Sequence, residues 1–342
     1  MKLSTVWLIL RQNDISKKES TACILLNDIN TLAQYTFFFE TVRNTIVMGN
    51  FSSGSRDGFD ENQQMHSNWF LRLILGVKQG TSTPMLHGES GVVPPSTLCH
   101  QQVMLYYIRL NSLPQGSVLK SVFLDMKRLS DLSSTNNWCS HVLSIGNRYG
   151  LELDAFDFNE ATKQHVKSVA KEKFISKWLS NINDHSLYPG LRLYKLFKHE
   201  FACEPYLQNI KSVQIRKTFT RFRCSSHFLE IERGRYVGKL EHERLCSVCN
   251  IVENEFHFVM ICPLYSELRN SFISKITSMF PLLLEYSPYE QFLFFMGFND
   301  LDLHCLFSRF IQDATDLRSG VGVAQQTAEN ERLCAGSSPH RS

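Results

Sequence analysis

The sequence predicts a mainly α-helical protein in which a helical connector leads into a small Cys3His module stapled by zinc. Three observations predict this. Apolar residues recur at three- and four-residue spacing through most of 67–311, the period of an amphipathic helix. Glycines and prolines punctuate the ends of those stripes, where helices stop and start. Three cysteines and a histidine, Cys246, Cys249, His257 and Cys262, fall within seventeen positions.

Residues 1–65 form an unassigned N-terminal segment and linker. The apolar run from Leu3 to Leu10 is followed at once by Arg11 and Asp14, with no small-residue cleavage site, so it reads as a buried strand rather than a secretory signal. Residues 23–48 are apolar, β-branched and aromatic without a clean period. Residues 49–64, GNFSSGSRDGFDENQQ, read as a flexible linker.

A helical connector is predicted over 66–210. Residues 67–77 form a helix stopped by Gly76, and 81–96 read as a Gly/Pro loop. In 100–110, Val103, Met104, Tyr107 and Leu110 share a face; Leu113 and Pro114 break that helix and 117–129 resumes it. Residues 136–150 give a helix capped by Gly150. In 161–182, Val166, Val169, Ala170, Phe174 and Trp178 make one stripe opposite lysines, and 191–201 has a similar pattern. A basic and metal-binding module follows over 211–285, with Pro263 suited to a first helical turn and Tyr265, Leu268, Phe272, Ile276 and Met279 on one face. C-terminal helices are predicted over 286–318 and a disordered polar tail over 319–342.

Composition narrows the function classes. At 342 residues and 43% hydrophobic, the chain can bury real cores, and 25 phenylalanines supply them. Ten cysteines, most of them far apart, do not make a disulfide framework, and no apolar run reaches the length of a membrane span. An intracellular location, nuclear or cytoplasmic, is expected. The sequence has no P-loop, HExxH or GxSxG motif. His199 and Glu200 read as a surface pair, His227 as structural, and Glu152, Asp154 and Asp157 as a loop.

The cysteine cluster has the spacing Cys-x2-Cys-x7-His-x4-Cys. Such a set can hold tetrahedral Zn2+, with a tight turn bringing the CxxC thiolates to one ion and Asn250 helping the reversal. A redox pair would normally follow a strand in a βαβ setting, which this segment lacks. Three separately buried thiols are the third reading. One feature strains the metal reading: His257 and Cys262 are five residues apart and would not share a face of a continuous α-helix.

Just upstream, 211–244 carries nine lysines and arginines against four glutamates, a local excess of five in a chain whose net charge is only +3. Arg216, Lys217, Arg221, Arg223, Arg233 and Arg235 are the candidate nucleic-acid-binding residues, because arginines interleaved with aromatics can grip phosphate while bases stack. A solvated, mixed-charge surface is the plainer alternative.

These phrases carry a resemblance. RFRCSSHFLEIERGRY, then ERLCSVCN, then ENEFHFVMICPLYSELR, resemble the region downstream of the polymerase in non-LTR retrotransposon reverse transcriptases of animals. FLRLILGVKQGTSTPMLHGESGVVPPSTLCHQQVMLYYIRL (70–110) resembles that family's post-polymerase connector, so the likeness spans about 67–270. It implies that Cys246, Cys249, His257 and Cys262 hold structural Zn2+ and that the basic stretch binds RNA or DNA. The chain lacks any Asp-Asp dipeptide, which the family's polymerase needs for its metal ions. The expectation is therefore a transposable-element fragment without catalytic activity, with no small-molecule substrate. The alternatives are a zinc-stabilised protein-interaction or structural module, or a non-functional retroelement relic.

Overall fold

The computed structural model describes residues 56–132, 137–184, 188 and 190–335. The predicted N-terminal strand and residues 49–55 of the linker lie outside them. Among the described residues there is helix, turn and one isolated antiparallel bridge, Leu245 with Val252, and no strand. The chain divides into two compact units.

Among the described residues, the first unit comprises 56–74, 83–132, 137–184, 188 and 200–203. Its described helices are α1 (Arg56–Leu75), α2 (Thr83–Ser90), α3 (Pro95–Asn111), α4 (Val118–Leu132), α5 (Trp138–Tyr149) and α6 (Glu160–Asn183). Helix α1 begins inside the expected linker: 56–64 is helical. It stops where Gly76 turns left-handed, at φ +69°.

Helix α2 corrects the predicted 81–96 loop. Pro84 sits in the first turn, where its missing N–H costs nothing, and Gly91 at φ +65° ends the helix. The expected helices α3 to α6 are present. Asn137 caps α5 with a reciprocal Ser140 bond, Asn159 caps α6, and Gly150 is left-handed at φ +72°. Helix α3 lies central and packs on α4, α5 and α6. Met104, Tyr107 and Ile108 meet Phe123, Val142, Ile145 and Val166 in its core. Asp154, in a 3₁₀ turn rather than open loop, accepts from Tyr107 Oη at 2.9 Å and from Lys127 at 2.6 Å.

His87 on α2 is a buried neutral ring. Its Nδ1 lies 2.6 Å from the Val92 carbonyl and its Nε2 3.1 Å from Gln64 Nε2, which fixes the Nδ1–H tautomer. Burial pulls its pKa from 6.5 down to about 4, with the Arg72 charge adding to the shift and the Val92 bond opposing it. The unfolded chain therefore protonates near pH 6.5 while the folded chain does not until about pH 4. Stability is complete above that window and falls through it by about 3 kcal/mol. Urea unfolding of wild type and His87→Gln between pH 7 and about pH 4 should show this slope in wild type and a flatter one in the variant.

Among the described residues, the second unit comprises 75–82, 190–199 and 204–335. Its helices are α7 (Leu191–Tyr194), α8 (Pro205–Asn209), α9 (Val213–Arg223), α10 (Glu230–Tyr236), α11 (Ser266–Met279), α12 (Pro288–Gly297) and α13 (Leu301–Ala335). Residues 286–318 thus belong to the same unit as the basic and cysteine-rich segments. The long helix predicted over 191–201 shrinks to α7 and turns; His199 and Glu200 are exposed beyond it. Helix α13 carries helical backbone into the expected tail as far as Ala335, through a sequence rich in Ala, Gln and Glu. Helices α9 and α13 pack together, and Phe219, Phe222, Phe258, Phe272, Phe295, Phe307 and Phe310 fill the core with edge-to-face and stacked rings. No helix among the described residues is long and apolar enough to cross a membrane.

Candidate metal centre and its basic surroundings

The cysteine-rich segment builds its site from two local structures. The first is a tight reversal at 245–252. Cys246 N–H donates to the Ile251 carbonyl at 2.8 Å and Asn250 N–H to the Cys246 carbonyl at 3.0 Å. Asn250 takes the left-handed conformation at φ +55°, which asparagine tolerates better than most residues. This reversal turns Cys246 and Cys249 toward the same point.

The second is a π-helical turn, His257–Ile261. Its defining bond runs from Cys262 N–H to the His257 carbonyl at 2.8 Å. An i→i+5 bond widens the turn, so five residues close one revolution that an α-helix would overshoot. The spacing that argued against a shared face is thus the spacing this turn requires. Asn254 Oδ1 accepts from His257 N–H at 2.8 Å, and Arg269 donates to the Val259 carbonyl at 2.6 Å and to the Cys262 carbonyl, clamping the turn at both ends.

The four ligand atoms lie within 4.8 Å of one another, close enough to hold a metal ion. Cys246 Sγ is 3.9 Å from Cys262 Sγ, against about 3.8 Å for two thiolates each about 2.3 Å from a tetrahedral zinc. Cys249 Sγ is 2.9 Å from His257 Nε2. Cys246, His257 and Cys262 are buried and Cys249 half-buried. Burial lowers the His257 pKa, which favours the neutral ligand form; its Nδ1 is buried without a hydrogen-bond partner. Burial and neighbouring thiols push Cys262 up to about 12 and raise Cys249. With no cation, three thiolates cannot coexist here; a divalent ion reverses that preference. Three soft sulfur donors and one imidazole fit zinc.

Around this cluster lies a set of buried charge pairs that sequence reading missed. Arg192 bridges Glu232 and Glu255, each at 2.6 Å, and Arg235 also reaches Glu232 at 2.7 Å. Glu255 accepts from His227 Nε2 at 2.9 Å, giving His227 a structural role. Burial alone would raise the Glu255 pKa, but Arg192 and His227 outweigh it and hold the carboxyl at about 2. Glu253 accepts two bonds from Arg318, at 2.8 and 2.7 Å, and one from the Glu230 N–H at 2.7 Å. Glu253 and Glu255 flank Asn254, whose side chain holds the His257 N–H, so the cluster is tied to α7, α10 and α13.

The six candidate nucleic-acid residues separate. Arg223 is 1% exposed. It pairs with Glu204 at 2.9 Å, donates to the Met296 carbonyl and faces the rings of Phe197, Tyr206 and Phe219. It is a core cation, which corrects its assignment to a phosphate-binding surface. Arg221 donates to the Gly76 carbonyl at 2.6 Å and Arg216 to the Ile210 carbonyl at 2.8 Å. The Lys217 stem lies against Gly76, where a Cβ would come within 2.6 Å of it. Arg233 is largely exposed, with a loose 3.4 Å pairing to Glu230, and Arg235 is half-buried over Tyr236.

Two exposed aromatics join them. Phe228 is 62% exposed and Tyr236 58%. Lys78 Nζ lies 3.7 Å from the Phe228 ring centroid and donates to the His227 carbonyl at 2.6 Å, while Tyr236 Oη crosses Gly80. Residues 78–80 therefore touch both rings. The sequence offered a signal in the alternation of aromatics and cations, but not which members face outward. Comparison with known proteins adds nothing to this geometry: no family model, curated protein or solved structure matches the chain.

Proposed function

We propose that this chain is a non-catalytic, nucleic-acid-binding region of the non-LTR retrotransposon reverse transcriptase type, with Cys246, Cys249, His257 and Cys262 holding a structural Zn2+. Zinc would act as a cross-link, joining the 245–252 reversal to the π turn; four protein donors complete its tetrahedron and leave no position for a reacting water. The observation that carries the binding reading is the pair of exposed, cation-capped rings, Phe228 beside Lys78 and Tyr236 beside Arg235, with Arg233 and Lys239 exposed nearby. Rings of this kind accept unstacked bases while neighbouring cations meet phosphates. The inward use of Arg216, Arg221 and Arg223 favours a second reading, a zinc-closed structural module that binds no nucleic acid.

Fluorescence anisotropy with single-stranded RNA and DNA oligonucleotides separates the two. Wild type should bind, and log affinity should fall linearly with log salt, by roughly 0.7 per phosphate contact. Phe228→Ala with Tyr236→Ala should weaken binding by about tenfold or more, as expected from about 1–3 kcal/mol per stacked base. Arg233→Ala should lower the salt slope. Absence of binding at low salt rejects the nucleic-acid reading in favour of the structural one.

A further inference from the structure

The second unit carries a surface of opposite character around the 3₁₀ turn Pro281–Glu285 and the start of α12. Leu282 is 68% and Leu284 71% exposed, and Tyr286 and Tyr289 are nearly half exposed beside them. These side chains are held in place. Leu283 is buried between them, Gln291 Nε2 donates to the Leu283 carbonyl at 2.9 Å and the Tyr286 carbonyl at 3.0 Å, and Ser287 and Glu290 form a capping box at α12. Phe280 meets Phe294 and Phe298 edge-to-face, fixing the turn to the far end of α12. Several large exposed apolar side chains on a hydrogen-bonded frame are the usual mark of an interaction site.

Charge identifies the occupant. From Ile276 to Ser308 the chain has no lysine or arginine, yet it carries Glu285, Glu290, Asp300 and Asp302. Nucleic acid and anionic lipid share that sign and are repelled. A second copy docking through the same face would set these carboxylates against their own symmetry mates. A helix with an apolar stripe and lysines or arginines along its flanks satisfies both features at once: the stripe covers Leu282, Leu284, Tyr286 and Tyr289, and the cations meet Glu285 and Glu290. We infer that this face docks a cationic amphipathic helix of a partner protein, so that the unit offers acid and apolar surface to protein. The inference does not depend on the nucleic-acid reading.

The test uses the full chain and a synthetic amphipathic Leu/Lys helical peptide, with the same peptide carrying Glu for Lys as control. Wild type should bind the Lys peptide and not the Glu peptide. Leu282→Ser with Leu284→Ser, and separately Glu285→Lys, should each weaken binding by about tenfold or more, the loss typical of a central interface anchor. Both variants alter exposed side chains, so their melting temperature should match wild type. Equal binding of both peptides, or an unchanged affinity in the double variant, overturns the inference. So does wild-type self-association that the double variant abolishes, since the occupant is then a second copy.

Discussion

Cys249→Ser is expected to empty the metal centre and to destabilise the second unit by at least about 3 kcal/mol, because structural zinc contributes its binding energy directly to folding. Cys249 is the most exposed of the four candidate ligands, so serine in its place leaves little cavity and little lost packing. A loss of that size cannot come from the methylene-scale change alone. The readouts are zinc per chain and the urea midpoint. Chelation of wild type should reproduce the variant's midpoint, and chelation of the variant should change nothing. Unchanged metal content with an unchanged midpoint would assign the cluster to buried thiols instead.

Arg223→Ala should be the second large effect. The guanidinium is enclosed by Glu204, the Met296 carbonyl and three aromatic rings. Removing one partner of a buried ion pair leaves a carboxylate with too little compensation and costs about 3–5 kcal/mol. Lys198 also pairs with Glu204, which keeps the figure toward the lower end. Arg223→Lys should recover only part of the loss, since lysine cannot spread a planar charge over the same rings. Equilibrium unfolding measures both. If Arg223→Ala instead weakened RNA binding with stability intact, the arginine would belong to the surface after all.

In the first unit α5 and α6 were legible because each had a stripe and a cap: Asn137 and Gly150 bracket α5, and Asn159 opens α6. Helix α2 was hidden because Pro84, Gly88 and Gly91 look like loop punctuation, although two of them occupy a helix start and stop. The 191–201 segment erred the other way. Its apolar spacing fits a helix, but Leu191, Leu193 and Tyr194 are all buried within a single turn, and Arg192 is drawn to Glu232 and Glu255.

At the site, the grouping of the three cysteines with His257 was readable from spacing, whereas the π turn that brings His257 and Cys262 to one side was not, because α-helical geometry is the default expectation. The fate of Arg223 had a local signal: it stands four residues after Phe219, on the same face of α9. Charge counting ignored that face. Arg192 and Arg318 lie far along the chain from the glutamates they meet, and no local pattern predicts such pairs. Gly234 in the Glu-x-Gly-Arg phrase is explained only by the fold, since a Cβ there would come within 2.6 Å of the Arg244 stem.

Zinc K-edge X-ray absorption on the purified full chain, alongside its metal content, decides whether Cys246, Cys249, His257 and Cys262 hold an ion. One zinc per chain is expected, coordinated by three sulfurs at about 2.3 Å and one nitrogen at about 2.0–2.1 Å. A chain without stoichiometric metal, or a zinc surrounded by oxygen donors, would contradict it.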